Sequence, residues 1–181
     1  MEDKKIELSL KDRLYLVNQY RILQKLSEND WEKKDYENLI EILSKGYVIH
    51  YDDLFLEIYP EELSIETSRK ALDILEMYRG IIFSVENLRK EGTKINISND
   101  QIRFPGFDGN DNIEGAMMNY ITFFIENLGR YNEIKALSGG DYNSHCSMLN
   151  TYDRMLKIWN ALDSSLKYRM SEELINKILH S

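Results

Sequence analysis

The chain has 181 residues, of which 43% are hydrophobic and 30% charged, and its formal net charge is −8. That length supports a buried core without a disulfide or metal staple. The acidic balance disfavours non-specific binding to nucleic acid or anionic membrane, and no apolar run approaches the roughly 20 residues of a membrane span.

In chain order, Ser9 with Asp12 forms an acidic capping box that opens a first helix ending near Leu26. Its apolar positions, Leu10, Leu14, Leu16, Val17, Tyr20 and Leu23, are so broadly spread that burial on more than one side is expected. Asn29 or Asp30 caps a second helix carrying Tyr36, Leu39, Ile40, Leu43 and Tyr47, with Gly46 as its stop. A short acidic helix over Asp52–Glu57 is closed by Pro60. Ser64 opens the longest helix, striped by Ala71, Ile74, Leu75, Tyr78, Ile81, Ile82, Val85 and Leu88, and Gly92 ends it. Ile95, Ile97, Ile102 and Phe104 alternate with polar residues around Ser98-Asn99-Asp100, which predicts a small β-hairpin at residues 94–104, broken by Pro105-Gly106. Helix resumes from Asp111 through Met117, Tyr120, Phe124, Leu128 and Tyr131. A loop follows at Ser138–Ser144, then a helix through Met148, Tyr152, Met155, Trp159 and Leu162, and a last short one capped by Ser171. The fold expected is mainly α: a single domain over residues 1–181, a bundle of roughly six or seven helices with that hairpin.

The ordered set Arg13-Leu14, Asn18-Gln19-Tyr20, Gly46-Tyr47, Ile74-Leu75-Glu76-Met77-Tyr78, Gly106-Phe107-Asp108, Gly129-Arg130-Tyr131 and Arg154 to Trp159 resembles the YfbU family of small bacterial proteins from about residue 9 to residue 180. The resemblance implies a fold and no catalytic residues. Family members that carry the domain beside a helix-turn-helix imply, by association, a ligand-binding or regulatory role.

Several motifs suggest chemistry and fall short of it. Asp108 to Glu114 begins like a calcium loop, but its sixth position is Ile113 instead of glycine and its twelfth is Asn119 instead of glutamate. An N-capping turn accounts for it. His50, Asp53 and Glu57 share a helical face without completing a metal-ligand set. His145-Cys146 lacks a matched base, and Ser138-Gly139-Gly140-Asp141 lacks the lysine of a phosphate loop. Glu37/Glu41 and Glu62/Glu66 read as solvated helix faces. A helix-turn-helix built on Tyr59–Leu63 and the helix from Ser64 would turn Glu61, Glu62 and Glu66 toward phosphates, with only Arg69 and Lys70 to offset them. No metal and no cofactor are expected.

The polar residues set among apolar ones remain: Gln19, Arg130 and Arg154, with Asp108, Glu76 and Glu126 as candidate partners for the arginines. Arg130 is expected to join the aromatic helix to the Gly106-Phe107-Asp108 turn, so a ligand site, if present, involves Arg130, Tyr131, Gly106, Phe107, Asp108 and Gln19. The leading expectation is a cytoplasmic, non-catalytic ligand-sensing or protein-interaction domain that self-associates as a homodimer or higher. Its 12 tyrosines and 7 methionines exceed the needs of one small core, and its single cysteine, Cys146, suits a reducing compartment. Residues Met1 to Lys5 lack the apolar core of a signal peptide. The alternatives are an enzyme acting on a small anionic or phosphorylated compound near Arg130, and a helix-turn-helix-linked DNA regulator.

Overall fold

The computed structural model describes residues 6–56, 58 and 62–181. The chain packs as two compact units, Met1–Glu62 and Leu63–Ser181. In the first, α1 (Leu10–Leu26) and α2 (Asp30–Lys45) form an antiparallel pair. The direction follows from two side-chain ties: Arg13 Nη1 donates to the Leu43 carbonyl at 3.2 Å, and Gln24 Nε2 to the Lys33 carbonyl at 3.3 Å. The capping box forms as read from sequence, with Ser9 Oγ accepting from Asp12 N and Ser9 N donating to Asp12 Oδ2. Asn29 Oδ1 caps α2 at Trp31 N. Gly46 ends α2 in the left-handed region, where glycine is free of Cβ strain. Val17 and Leu43 are buried between the helices, and Tyr20 stacks on Tyr36 with centroids 5.9 Å apart. Two 3-10 turns follow, Val48–His50 and Asp52–Phe55, with Tyr51 buried between them. Pro60, expected to close this stretch, lies outside the described residues.

The second unit is organised around α3 (Ile65–Lys90). Ten of its residues are buried, among them Ile74, Leu75, Tyr78, Ile81 and Val85, and α4 (Asn112–Thr122), α5 (Asn132–Ser138) and α6 (Leu149–Asn160) pack on it. The last helix, α7 (Glu172–Leu179), packs on α6. An aromatic cluster of Tyr78, Phe104, Phe107 and Tyr152 fills the interior, with centroids 5.1 to 6.2 Å apart and mostly edge-on contacts.

The expected β-hairpin at 94–104 is not formed; among the described residues there is no strand, and the sole bridge pairs Phe107 with Asn143. The alternation had a different cause. Ile97, Ile102 and Phe104 are all buried in the core, while side chains take the backbone groups a ladder would need. Asn96 N donates to Glu172 Oε1 at 2.6 Å, Ser98 N to Gln101 Oε1 at 2.7 Å, and the Ile97 carbonyl accepts from Arg89 Nη2 at 2.8 Å. Backbone groups satisfied in this way leave a strand pairing nothing to gain.

The helix expected to run from Asp111 to Tyr131 is interrupted. It continues α4 as a π-helical turn over Phe123–Asn127, and α5 begins only after Tyr131.

Glu114, 1% exposed, links three segments. Its carboxylate accepts from Asp108 N at 2.9 Å, Ser147 Oγ at 2.7 Å, Met148 N at 2.9 Å and Leu149 N at 3.1 Å. The last two amides open α6, which has no side-chain cap of its own. Burial pushes the Glu114 carboxyl up, but these hydrogen bonds outweigh it and hold the group below the usual carboxylate range.

Candidate functional site

Of the residues expected to form a ligand site, Arg130 shares no hydrogen bond or ion pair with the 106–108 turn among the described residues. Gly106 adopts φ +94°, and a Cβ there would lie 1.9 Å from the Tyr142 carbonyl oxygen, so its close approach serves the neighbouring backbone. Its carbonyl accepts the Tyr152 hydroxyl at 2.5 Å. Phe107 is fully buried and bonded through its backbone to Tyr142 and Ser144. Asp108 turns back on Asn110 N at 3.0 Å. Asp111 Oδ1 caps α4 at Ile113 and Glu114, the capping turn read from sequence. Arg130 is exposed and makes no ion pair or side-chain hydrogen bond among the described residues. What ties the 106–108 turn down is Tyr142, Tyr152 and Glu114, not Arg130. Gln19 is exposed on α1, in the other unit.

Tyr131 does enter a polar cluster, with an arginine that sequence reading passed over. Its hydroxyl donates to Glu76 Oε2 at 2.8 Å, and the Tyr168 hydroxyl donates to Glu76 Oε1. The Arg79 guanidinium lies 3.9 Å from the Tyr131 ring centroid, and its Nε donates to Glu133 Oε1 at 2.6 Å. Burial first, then the bond to Glu76, pushes the Tyr131 phenol far up; the bond to Glu76, then burial, takes Tyr168 up to about 12. Both phenols are therefore donors at neutral pH, both Glu76 oxygens are occupied, and Arg79 is matched by two acids. The cluster offers neither a base nor spare positive charge, and it acts as a clasp between α3, α5 and the 163–169 turn. Tyr131 enters it with φ +53°, a left-handed conformation that costs a non-glycine residue roughly 1–2 kcal/mol. The only signal in sequence was the i, i+3 pair Glu76/Arg79; Glu133 and Tyr168 are too distant along the chain to be read.

His50 Nδ1 lies 3.2 Å from Asp53 Oδ2, while Glu57 lies outside the described residues. Among the described residues no group of at least 3 His, Cys, Asp or Glu could hold a metal. Cys146 is exposed beside His145, in the bend before α6. Arg154 donates to the Ser181 carbonyl and to Thr151, and Glu126 pairs with Lys135 and Tyr142. The proposed recognition helix is α3, the buried centre of its unit, with Lys70 held by Asp153 at 2.6 Å; the turn before it lies partly outside the described residues. Among the described residues no helix is long and apolar enough to cross a membrane.

The surface with the least internal satisfaction is on the first unit. Of 18 large hydrophobic side chains exposed among the described residues, 12 belong to it, although it is the smaller unit. On α1, Leu10 and Leu14 face one way. Tyr15, Gln19, Ile22 and Leu26, at spacings of 4, 3 and 4 residues, form a second exposed stripe. Trp31 stands at the start of α2, 83% exposed. The breadth of α1 was legible in sequence; within the first unit α2 packs on one side of it, and Leu10, Leu14, Tyr15, Ile22 and Leu26 stay exposed.

A sequence model of the YfbU domain matches residues 6–181. The chain belongs to the YfbU family. Similar to it is the UPF0304 protein MJECS11 of Methanocaldococcus jannaschii, 34% identical over 176 residues that cover 96% of this chain and 99% of that protein. The YfbU match takes in the α1–α2 pair as well as the helical core around α3, so the exposed α1 surface lies within the family domain.

Proposed function

We propose that this YfbU domain is a non-catalytic interaction domain that self-associates through α1. The observation that carries the reading is the pair of exposed apolar stripes on a helix whose sequence asks for burial on several sides. Fully burying a Leu or Ile side chain contributes about 1.5–3 kcal/mol. Tyr15, Ile22 and Leu26 of the second stripe, from two copies, therefore offset an association cost on the order of 4–15 kcal/mol.

Charge supports a second copy as the partner. Lys11, Arg13, Arg21 and Lys25 against Asp12 give α1 a net +3, which leaves −11 on the rest of this −8 chain. With α1 of each copy set against the acidic remainder of the other, the two surfaces are complementary in charge. A membrane surface fits less well. An interfacial helix needs one apolar face, whereas Lys11, Asn18, Arg21 and Lys25 separate the two stripes of α1, and the remaining charge repels anionic lipid.

Light scattering at high micromolar concentration is expected to give about twice the 21.4 kDa chain mass. Ile22→Glu with Leu26→Glu, at positions 53% and 72% exposed, should yield a monomer with unchanged helix content. A native chain that stays monomeric, or a double variant that still dimerises, overturns the reading.

A further inference from the structure

A groove of about 590 Å³ opens in the first unit, between the start of α1 and the end of α2. That volume falls in the range of small-molecule sites, about 300–1,000 Å³. Its apolar walls are Ile6, Leu8 and Val48, and its polar groups are Arg13, Lys45, Tyr51 and Glu7. Gly46 shapes it. With φ +73°, and with Arg13 Nη1 only 2.5 Å from where a Cβ would stand, no other residue lets the guanidinium pass so close beneath the end of α2.

Three features of the groove are unused by the fold. Arg13 spends one N–H on the Leu43 carbonyl and has no carboxylate partner among the described residues. Lys45 makes no ion pair among them. The Tyr51 ring is buried, while its hydroxyl lines the groove 3.8 Å from the Gly46 Cβ position and makes no hydrogen bond among the described residues.

We infer that this groove binds a small amphiphilic monocarboxylate: the carboxylate between Arg13, Lys45 and the Tyr51 hydroxyl, the hydrocarbon along Ile6, Leu8 and Val48. Two cations against Glu7 leave a single net positive charge, which suits a monoanion and disfavours phosphate. The site stands on these residues alone and does not depend on self-association.

Octanoate, octan-1-ol and inorganic phosphate, titrated by calorimetry and followed at the Gly46 and Val48 amide resonances, test it. Octanoate is expected to bind saturably and to shift those resonances, with the alcohol and phosphate at least about tenfold weaker. Lys45→Gln and Tyr51→Phe each weaken octanoate several-fold without loss of helix content. These variants decide the matter because Arg13→Gln would also remove a tie between the helices. Equal affinity for acid and alcohol, no saturable binding, or unchanged affinity in both variants overturns the assignment.

Discussion

Glu114 shows how one side chain can organise an interior. Its carboxylate closes the 108 turn and opens α6 at once, and its hydrogen bonds keep it ionised despite burial. A carboxyl held lower in the folded than in the unfolded chain stabilises fully above the ordinary carboxylate range. That stability is lost as pH falls through the depressed folded value. Glu114→Gln keeps the shape but loses the charge and sets an N–H donor against backbone N–H donors. It should cost about 3 kcal/mol at neutral pH and flatten the acid limb of stability. Denaturant midpoints measured from neutral to acid pH check both effects; an unchanged acid limb would show that Glu114 is not the group responsible. None of this was legible in sequence, because Ser147, Met148 and Leu149 lie 33 to 35 residues away. The caps at Ser9, Asn29, Asp111 and Ser171 were legible because each bonds within 3 residues. Arg130 was misplaced for the same reason as Glu114: an arginine's partner is set by packing, and packing chose Arg79.

Among the elements, the helices were read well wherever a cap and an apolar stripe coincided. The 94–104 segment failed because alternating burial is also what coil and a turn over residues 99–103 show when they lie on a core without strand pairing. Its backbone is served by Gln101, Glu172 and Arg89. Gln101→Ala should therefore release the Ser98 amide, and its hydrogen exchange should quicken by about tenfold or more while the amides of α3 keep their protection. Unaltered exchange at Ser98 would point to another acceptor. The break before α5 was missed for a different reason. Helical spacing carries through Phe124 and Leu128 to Tyr131, and nothing in a tyrosine announces a left-handed backbone. The clasp of Glu76 and Arg79 holds that conformation in place.

At the scale of the molecule, the two units divide the aromatic residues unevenly. Trp159 sits inside the second unit, 2% exposed, with the Lys167 ammonium 4.8 Å from its ring centroid, while Trp31 stands in solvent on the first. These are the chain's only 2 tryptophans, so each unit carries its own fluorophore. Emission from Trp31 should be red-shifted and readily quenched by iodide, and that from Trp159 blue-shifted and shielded. In Trp31→Phe the remaining emission is expected to stay protected from iodide until the second unit melts, and then to shift to the red. Iodide quenching of the folded variant as strong as that of free indole would contradict the packing of Trp159. Followed by this colour change and by circular dichroism together, a urea titration reports whether helix is lost before the second unit opens. The unequal burial of two indoles thus turns an unlabelled chain into its own two-channel optical gauge.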